Sequence, residues 1–212
     1  MKVMTFRITG RPATPMMMHN NQTADPRNHY AKVLAELHTD YKRRGSDKAA
    51  ILDKMAIQRV AAGLYWNDAL GLHIPASNLR ATVIDGAKLS RGGANCKRYV
   101  QVAGPARIKY KGPSDLEDIA NDPRFRYDSI MKNGGANAVQ VPTTRAIIPE
   151  WECEFSLILI DNTKMTEKDL IKYVTDAGLY CGVGASRTHG FGRFTTEVVK
   201  NVPADQGKAA AK

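Results

Sequence analysis

The chain reads as an α+β protein, and three observations carry that prediction. Trp151 to Ile160 places Cys153, Phe155, Leu157 and Leu159 on one face of a period-two pattern, a strong strand signal. Residues 166–178 carry Leu170, Ile171, Val174 and Ala177 at helical spacing behind a Thr166-Glu-Lys-Asp169 capping pattern, with Asp at the third helical position. Lys2 to Thr9 sets Val3, Phe6 and Ile8 among polar residues and reads as a second strand.

The remaining elements follow in order. Gly10 to Pro26 holds three prolines, Asn20-Asn21 and Asp25, and predicts a long loop of the kind that often carries function. Tyr30, Val33, Leu34, Leu37 and Tyr41 predict a helix with Lys42, Arg43 and Arg44 in its last turn and Gly45 as its stop. Ser46 or Asp47 caps a second helix carrying Ile51, Leu52, Met55 and Val60. Leu64–Asn67 and Leu70–Ile74 read as short extended pieces. A third helix opens at Pro75-Ala-Ser-Asn78, with Leu79, Val83 and Ala87 on one face. Tyr99–Val102 and Ala106–Tyr110 alternate as strands. Residues 112–137 are rich in Gly, Pro, Asn and Asp and predict irregular chain with a mobile tip at Asn133-Gly-Gly-Ala-Asn137. Arg193–Val199 predicts a last strand, and the Ala/Lys-rich residues 204–212 a flexible tail.

Composition narrows the function classes. Lys and Arg number 31 against 21 Asp and Glu, a formal charge of +10, which favours nucleic acid, anionic lipid or an acidic protein as partner. No apolar run reaches the ~18 residues of a membrane span, so no membrane role is expected. Met1 to Ile8 lacks the apolar core of a secretory signal. Cys96, Cys153 and Cys181 are odd in number and far apart, with no CxxC or Cys/His cluster. That pattern argues against a disulfide framework or structural zinc and fits a reducing cytoplasm, with each cysteine a small buried hydrophobe. No cofactor or metal is expected.

The most informative stretch is Gly182-Val-Gly184-Ala-Ser-Arg-Thr-His-Gly190-Phe-Gly192-Arg-Phe194. Two Gly-x-Gly pairs bracket five residues that include Arg187 and His189. Glycine permits close backbone approach, successive N–H groups in such a loop can form an anion nest, and Arg187 and Arg193 supply charge-assisted bonds to phosphate oxygens. The loop has no Gly-Lys-Ser/Thr ending and leads into a strand, which disfavours NTP or dinucleotide binding.

Gly182 to Gly192 resembles the G-h-G-x5-G-h-G loop of the RAMP superfamily, the ferredoxin-like proteins of CRISPR effector and guide-processing complexes. Val183 and Phe191 fill its hydrophobic slots, and Arg187 supplies the basic residue. Ile74-Pro-Ala-Ser-Asn-Leu-Arg80 looks like the Ile-Pro-Gly-Ser-Ser-Leu-Lys/Arg helix start of guide-coating backbone subunits, with Ala76 in place of Gly and Asn78 in place of Ser. The resemblance implies an α+β, ferredoxin-like/RRM-like βαββαβ antiparallel sheet with helical and irregular insertions. Its core elements would be residues 2–9, 77–89, 98–110, 151–160, 166–178 and 193–200, in one domain over 1–203. Insertions would occupy 10–73 and 112–145. The short chain and unmatched insertions suggest a stand-alone or phage-borne relative.

The implied function is binding of single-stranded RNA or DNA, RNA preferred, through the phosphate backbone. Ser77, Asn78 and Arg80 at the helix start would act with Gly182, Gly184, Arg187, His189, Gly190, Gly192 and Arg193 of the loop. Lys97 and Arg98 would extend the basic track, with Arg91, Arg107, Lys109 and Lys111 beyond. Phe125 and Tyr127, flanked by Arg124 and Arg126, are either base-stacking platforms or local packing. Homo-oligomers along the strand, or a wider protein complex, are implied as they are for backbone subunits. Two alternatives stand beside this one. Guide-processing relatives cleave RNA without metal by a histidine-assisted 2′-OH attack, and His19 and His29 in the first insertion are the candidate bases. Some backbone subunits instead use an Asp with a divalent metal in the loop after the first strand, where Asp25 stands. The third reading is a phage-encoded interaction or assembly protein that keeps the fold and mimics a CRISPR subunit.

Overall fold

The computed structural model describes residues 1–133, 139–161 and 163–203. Strand β1 (Lys2–Gly10) turns into the short β2 (Met16–Met18), and two helices follow, α1 (His29–Lys42) and α2 (Lys48–Gly63). A small hairpin of β3 (Trp66–Asn67) and β4 (Gly71–Ile74) precedes α3 (Ala76–Leu89) and α4 (Gly93–Tyr99). Next come β5 (Val100–Val102), β6 (Ala106–Tyr110), α5 (Leu116–Asn121), β7 (Arg126–Asn133), β8 (Val139–Ile148) and β9 (Trp151–Leu159). Helix α6 (Glu167–Asp176) runs into a π turn over Ala177–Cys181, and β10 (Phe194–Pro203) closes the fold.

The main sheet has seven strands in the order β10-β1-β9-β6-β4-β3, with β5 also paired to β9, and every pairing is antiparallel. Taken together, β5 and β6 are one interrupted second strand. The core then has the order fourth, first, third, second, in which the connections through α3 and α6 each skip a strand. That is the ferredoxin-like α+β class the sequence predicts. The interruption has a local cause: Val102 faces Leu157 and Ile108 faces Cys153, so five residues around Gly104-Pro105 stand against three.

Local chemistry sets the helix ends. Asn28 Oδ1 accepts from the Tyr30 N–H at 2.9 Å and Asp47 Oδ1 from the Ala50 N–H at 3.1 Å. Thr166 and Asp169 form the reciprocal capping box, Asp serving where Glu is usual. Met4, Phe6 and Ile8 of β1 and Cys153, Phe155 and Leu157 of β9 bury one sheet face in a common core with Leu79, Val83 and Ala87 of α3 and Leu170 and Val174 of α6. Gly86 lets α3 approach α6 closely, since a side chain there would strike the Tyr173 carbonyl. Cys96 and Cys153 are buried hydrophobes as expected, their thiols pushed by burial to about 11 and about 12.

Two expectations are corrected and one open alternative is decided. Of the stretch expected to be irregular, residues 116–133 hold α5, a 3-10 turn and β7, and β7 joins β8 and β2 in a second, three-stranded sheet. Residues 98–99 belong to α4 rather than to a strand. Phe125 is 1% exposed and packs edge-on against Tyr110, so it is core and not a stacking platform. Most of the predicted 133–137 tip, and the 204–212 tail, lie outside the described residues.

Candidate nucleic-acid interface

The helix start and the glycine loop converge. Asn78, Ala81 and Thr82 of α3 and Gly184, Ala185 and Arg187 of the loop line one cleft of about 200 Å³, together with His19 and Tyr65. The Thr82 hydroxyl reaches the Gly182 carbonyl at 3.5 Å, and the Tyr65 hydroxyl donates to the His19 carbonyl at 3.0 Å. Elements nearly the whole chain apart in sequence therefore build a single concavity.

The glycines are used for packing. The N–H groups of Gly182, Val183, Ala185, His189, Gly190 and Gly192 donate to the carbonyls of Ala177, Gly192, Met17, Ser186, Arg187 and Pro15. These donors are committed to backbone, so the anion nest expected of the loop is largely spent on folding it. Gly184 and Gly192 show why no other residue serves. Their φ values are +89° and +69°, and side chains there would collide with the carbonyls of Met17 and Val183. The loop is sewn to the segment around β2.

Its cations differ in their freedom. Arg187 Nη1 lies 2.9 Å from Asp85 Oδ2 on α3, and Lys88 Nζ lies 2.7 Å from Asp85 Oδ1. Burial pushes the Asp85 carboxyl up, but hydrogen bonds and charge from Lys88 and Arg187 outweigh it, and the net pKa is lowered. Arg193, at the far end of the loop, forms no ion pair among the described residues. His189 is exposed, with Nδ1 3.3 Å from the Thr188 hydroxyl.

Arg80 does not line the cleft. Its guanidinium donates to the Lys97 carbonyl at 2.9 Å, which ties α3 to α4. Arg80, Lys97 and Arg98 are exposed there and carry no carboxylate partner among the described residues. Lys88, Arg91 and Lys97 line a shallow basic depression beside them. Ser77 is exposed at the helix start. The open face of the sheet is different in kind. Arg7 pairs there with Glu154 at 2.8 Å, Glu197 at 3.1 Å and Glu152 at 3.8 Å, while Lys109 pairs with Glu152 and Lys111 with Glu150.

The two candidate bases separate. His19 is in the cleft, where burial lowers its pKa and the Arg145 cation adds to the fall. His29 stands in another groove, between α1, α2 and α5, edge-on to Tyr30. Asp25 is bound to Arg27 at 3.0 Å, and no group of three or more potential metal ligands occurs among the described residues. Tyr127 is half-exposed against Phe191 of the loop. Sequence reasoning missed Tyr65, Thr82 and Asp85. Thr82 and Asp85 fall one helical turn and two from Asn78, a spacing that marks one face but says nothing of what meets it.

No family model and no curated protein sequence matches the chain. A solved structure does share its fold. A chain in the cryo-EM structure of the type III-B Cmr-beta bound to cognate target RNA aligns with 95% of this chain at 13% identity and a TM-score of 0.51. This chain spans 61% of that one's length. Cmr6 from Pyrococcus furiosus aligns over 92% of this chain and 98% of its own, at 14% identity and a TM-score of 0.36, a likeness too loose to bear on the fold. No helix among the described residues is long and apolar enough to cross a membrane.

Proposed function

We propose that this is a RAMP-type protein that binds single-stranded nucleic acid, RNA in preference to DNA, by its phosphate backbone and multimerises along the strand. The observation that carries the reading is the meeting of Asn78 with Gly184 and Arg187 in one cleft. Arg80, Lys97 and Arg98 on the adjoining α3–α4 surface, without a carboxylate partner among the described residues, support it, as does a fold shared with a chain of an RNA-bound complex. Phosphate contacts release counterions, so affinity falls steeply as salt rises. Fluorescence anisotropy with a labelled single strand across a salt series tests this. Salt-independent binding, or none, would refute it.

One observation favours a second reading, metal-independent endoribonuclease. His19 lines the same cleft, where burial first and the Arg145 cation second lower its pKa and favour the neutral imidazole that can take a 2′-OH proton. Cleavage of labelled RNA in EDTA, lost in His19→Ala and rising with pH through the depressed His19 pKa, is the expected signature. Intact RNA leaves the binder reading alone.

A further inference from the structure

Among the described residues three buried side-chain nitrogens have no hydrogen-bond acceptor: Arg11 Nε, Arg193 Nη1 and Trp151 Nε1. Two of the three belong to arginines whose main chains are hydrogen-bonded to each other. The β1–β10 register ends at Gly10 opposite Phe194, and one step further the Arg11 N–H donates to the Arg193 carbonyl at 2.9 Å. Directly opposed residues of an antiparallel pair send their side chains to the same face, with Cβ atoms about 5 Å apart. Trp151 belongs to the other face, where its indole lies beneath Gly10 and edge-on to Phe194.

Neither arginine forms an ion pair among the described residues, in contrast to Arg7 a few residues back on the same strand. Two cations on hydrogen-bonded neighbouring main chains, each with a buried and unsatisfied nitrogen, are costly unless something anionic joins them. The main chain that carries them is itself tied down. The Gly192 N–H donates to the Pro15 carbonyl and the Thr14 hydroxyl to the Arg11 carbonyl, while Ala13 turns the chain at φ +62°, which an L-residue seldom adopts. Two guanidiniums carried on neighbouring main chain can present forked donors with the geometry of a phosphate oxyanion.

We propose that Arg11 and Arg193 together form a phosphate seat where the glycine loop enters β10. This rests on the reading of the chain as a nucleic-acid binder and names the atoms that would hold one phosphate of the strand. It moves the weight of recognition from Arg187, which Asp85 neutralises, to Arg193 and to Arg11, which no loop motif contains. The phosphate is either an internal phosphodiester or a terminal monophosphate.

The test compares wild type with Arg11→Gln and Arg193→Gln in strand binding and in thermal protection by inorganic pyrophosphate. Each variant should weaken binding about tenfold and lower the salt slope by about one. Pyrophosphate should raise the melting temperature of wild type and fail to raise that of either variant. A 5′-phosphorylated strand that outbinds its 5′-hydroxyl counterpart only in wild type assigns the terminal phosphate, and equal binding assigns internal ones. Wild type that binds no strand yet is protected by pyrophosphate overturns the nucleic-acid reading and keeps the seat. Variants that bind strands with unchanged affinity and slope overturn the seat and leave the nucleic-acid reading intact. Should either variant unfold, the Nε–H resonances of Arg11 and Arg193 in wild type decide: shifts on adding pyrophosphate support the seat, and unmoved resonances overturn it.

Discussion

The open face of the sheet and the surfaces around the glycine loop use the same residue types to opposite effect. On the sheet, Arg7 sits among Glu152, Glu154 and Glu197, and Lys109 and Lys111 each find a glutamate. Among the described residues around the loop and on α4, Arg11, Arg193, Lys97 and Arg98 have no such partner, whereas Arg187 and Lys88 share Asp85. The +10 charge is thus not spread evenly in its effect. A cation satisfied by carboxylates offers little to a phosphate, because binding must first break the existing pair. The difference locates a candidate interface that net charge cannot.

The sharpest way to break this contrast is to unfasten the loop. Gly192→Ala forces a side chain into the Val183 carbonyl at a positive φ and should cost about 2–4 kcal/mol in urea unfolding. Strand binding should fall with it. Next in size, the triple change Arg80→Ala, Lys97→Ala and Arg98→Ala should weaken strand binding and cut the salt slope by about three. Lys109→Ala with Lys111→Ala on the sheet should leave the slope unchanged, and an equal loss there would erase the distinction between the surfaces.

Asp85→Asn is a smaller and more pointed change. It frees Arg187, so strand binding should tighten a few-fold while the melting temperature drops slightly. The pH dependence follows from the lowered Asp85 pKa. A depressed carboxyl contributes stability that is present above its unfolded value, ~3.9, and is lost as pH falls through the folded value. Melting temperatures from pH 7 to 3 should therefore decline less in Asp85→Asn than in wild type. The smallest effect belongs to Arg7→Ala, whose exposed ion pairs are screened by solvent; strand affinity should not change.

Much of the fold was legible because its signals are local. The alternation at Trp151–Leu159, the cap at Thr166 and the apolar faces of α1, α2 and α3 each lie within one segment. β7 and β8 were not legible. Arg126–Asn133 alternates poorly, and β8 contains Pro142, which cannot donate to a ladder and stands opposite Ile130. Their stability comes from pairing with each other, with β2 and with the face of α2 rather than from local preference. The glycine loop was recognised, but not what its main chain packs against. Glycine spacing marks close approach, and here the approach is to Met17 and Val183 backbone.

By itself the sequence determined the α+β class, the capped starts of α2 and α6 and the two motifs, since periodicity and capping are written within a few residues, while the order of the core elements came from the family resemblance those motifs carry. Only the tertiary structure decided which cations are neutralised, that Asn78 shares a cleft with Gly184 and His19, and that Arg11 stands opposite Arg193. Those facts depend on which residue faces which across the fold, and no spacing along the chain records the distance between two charges.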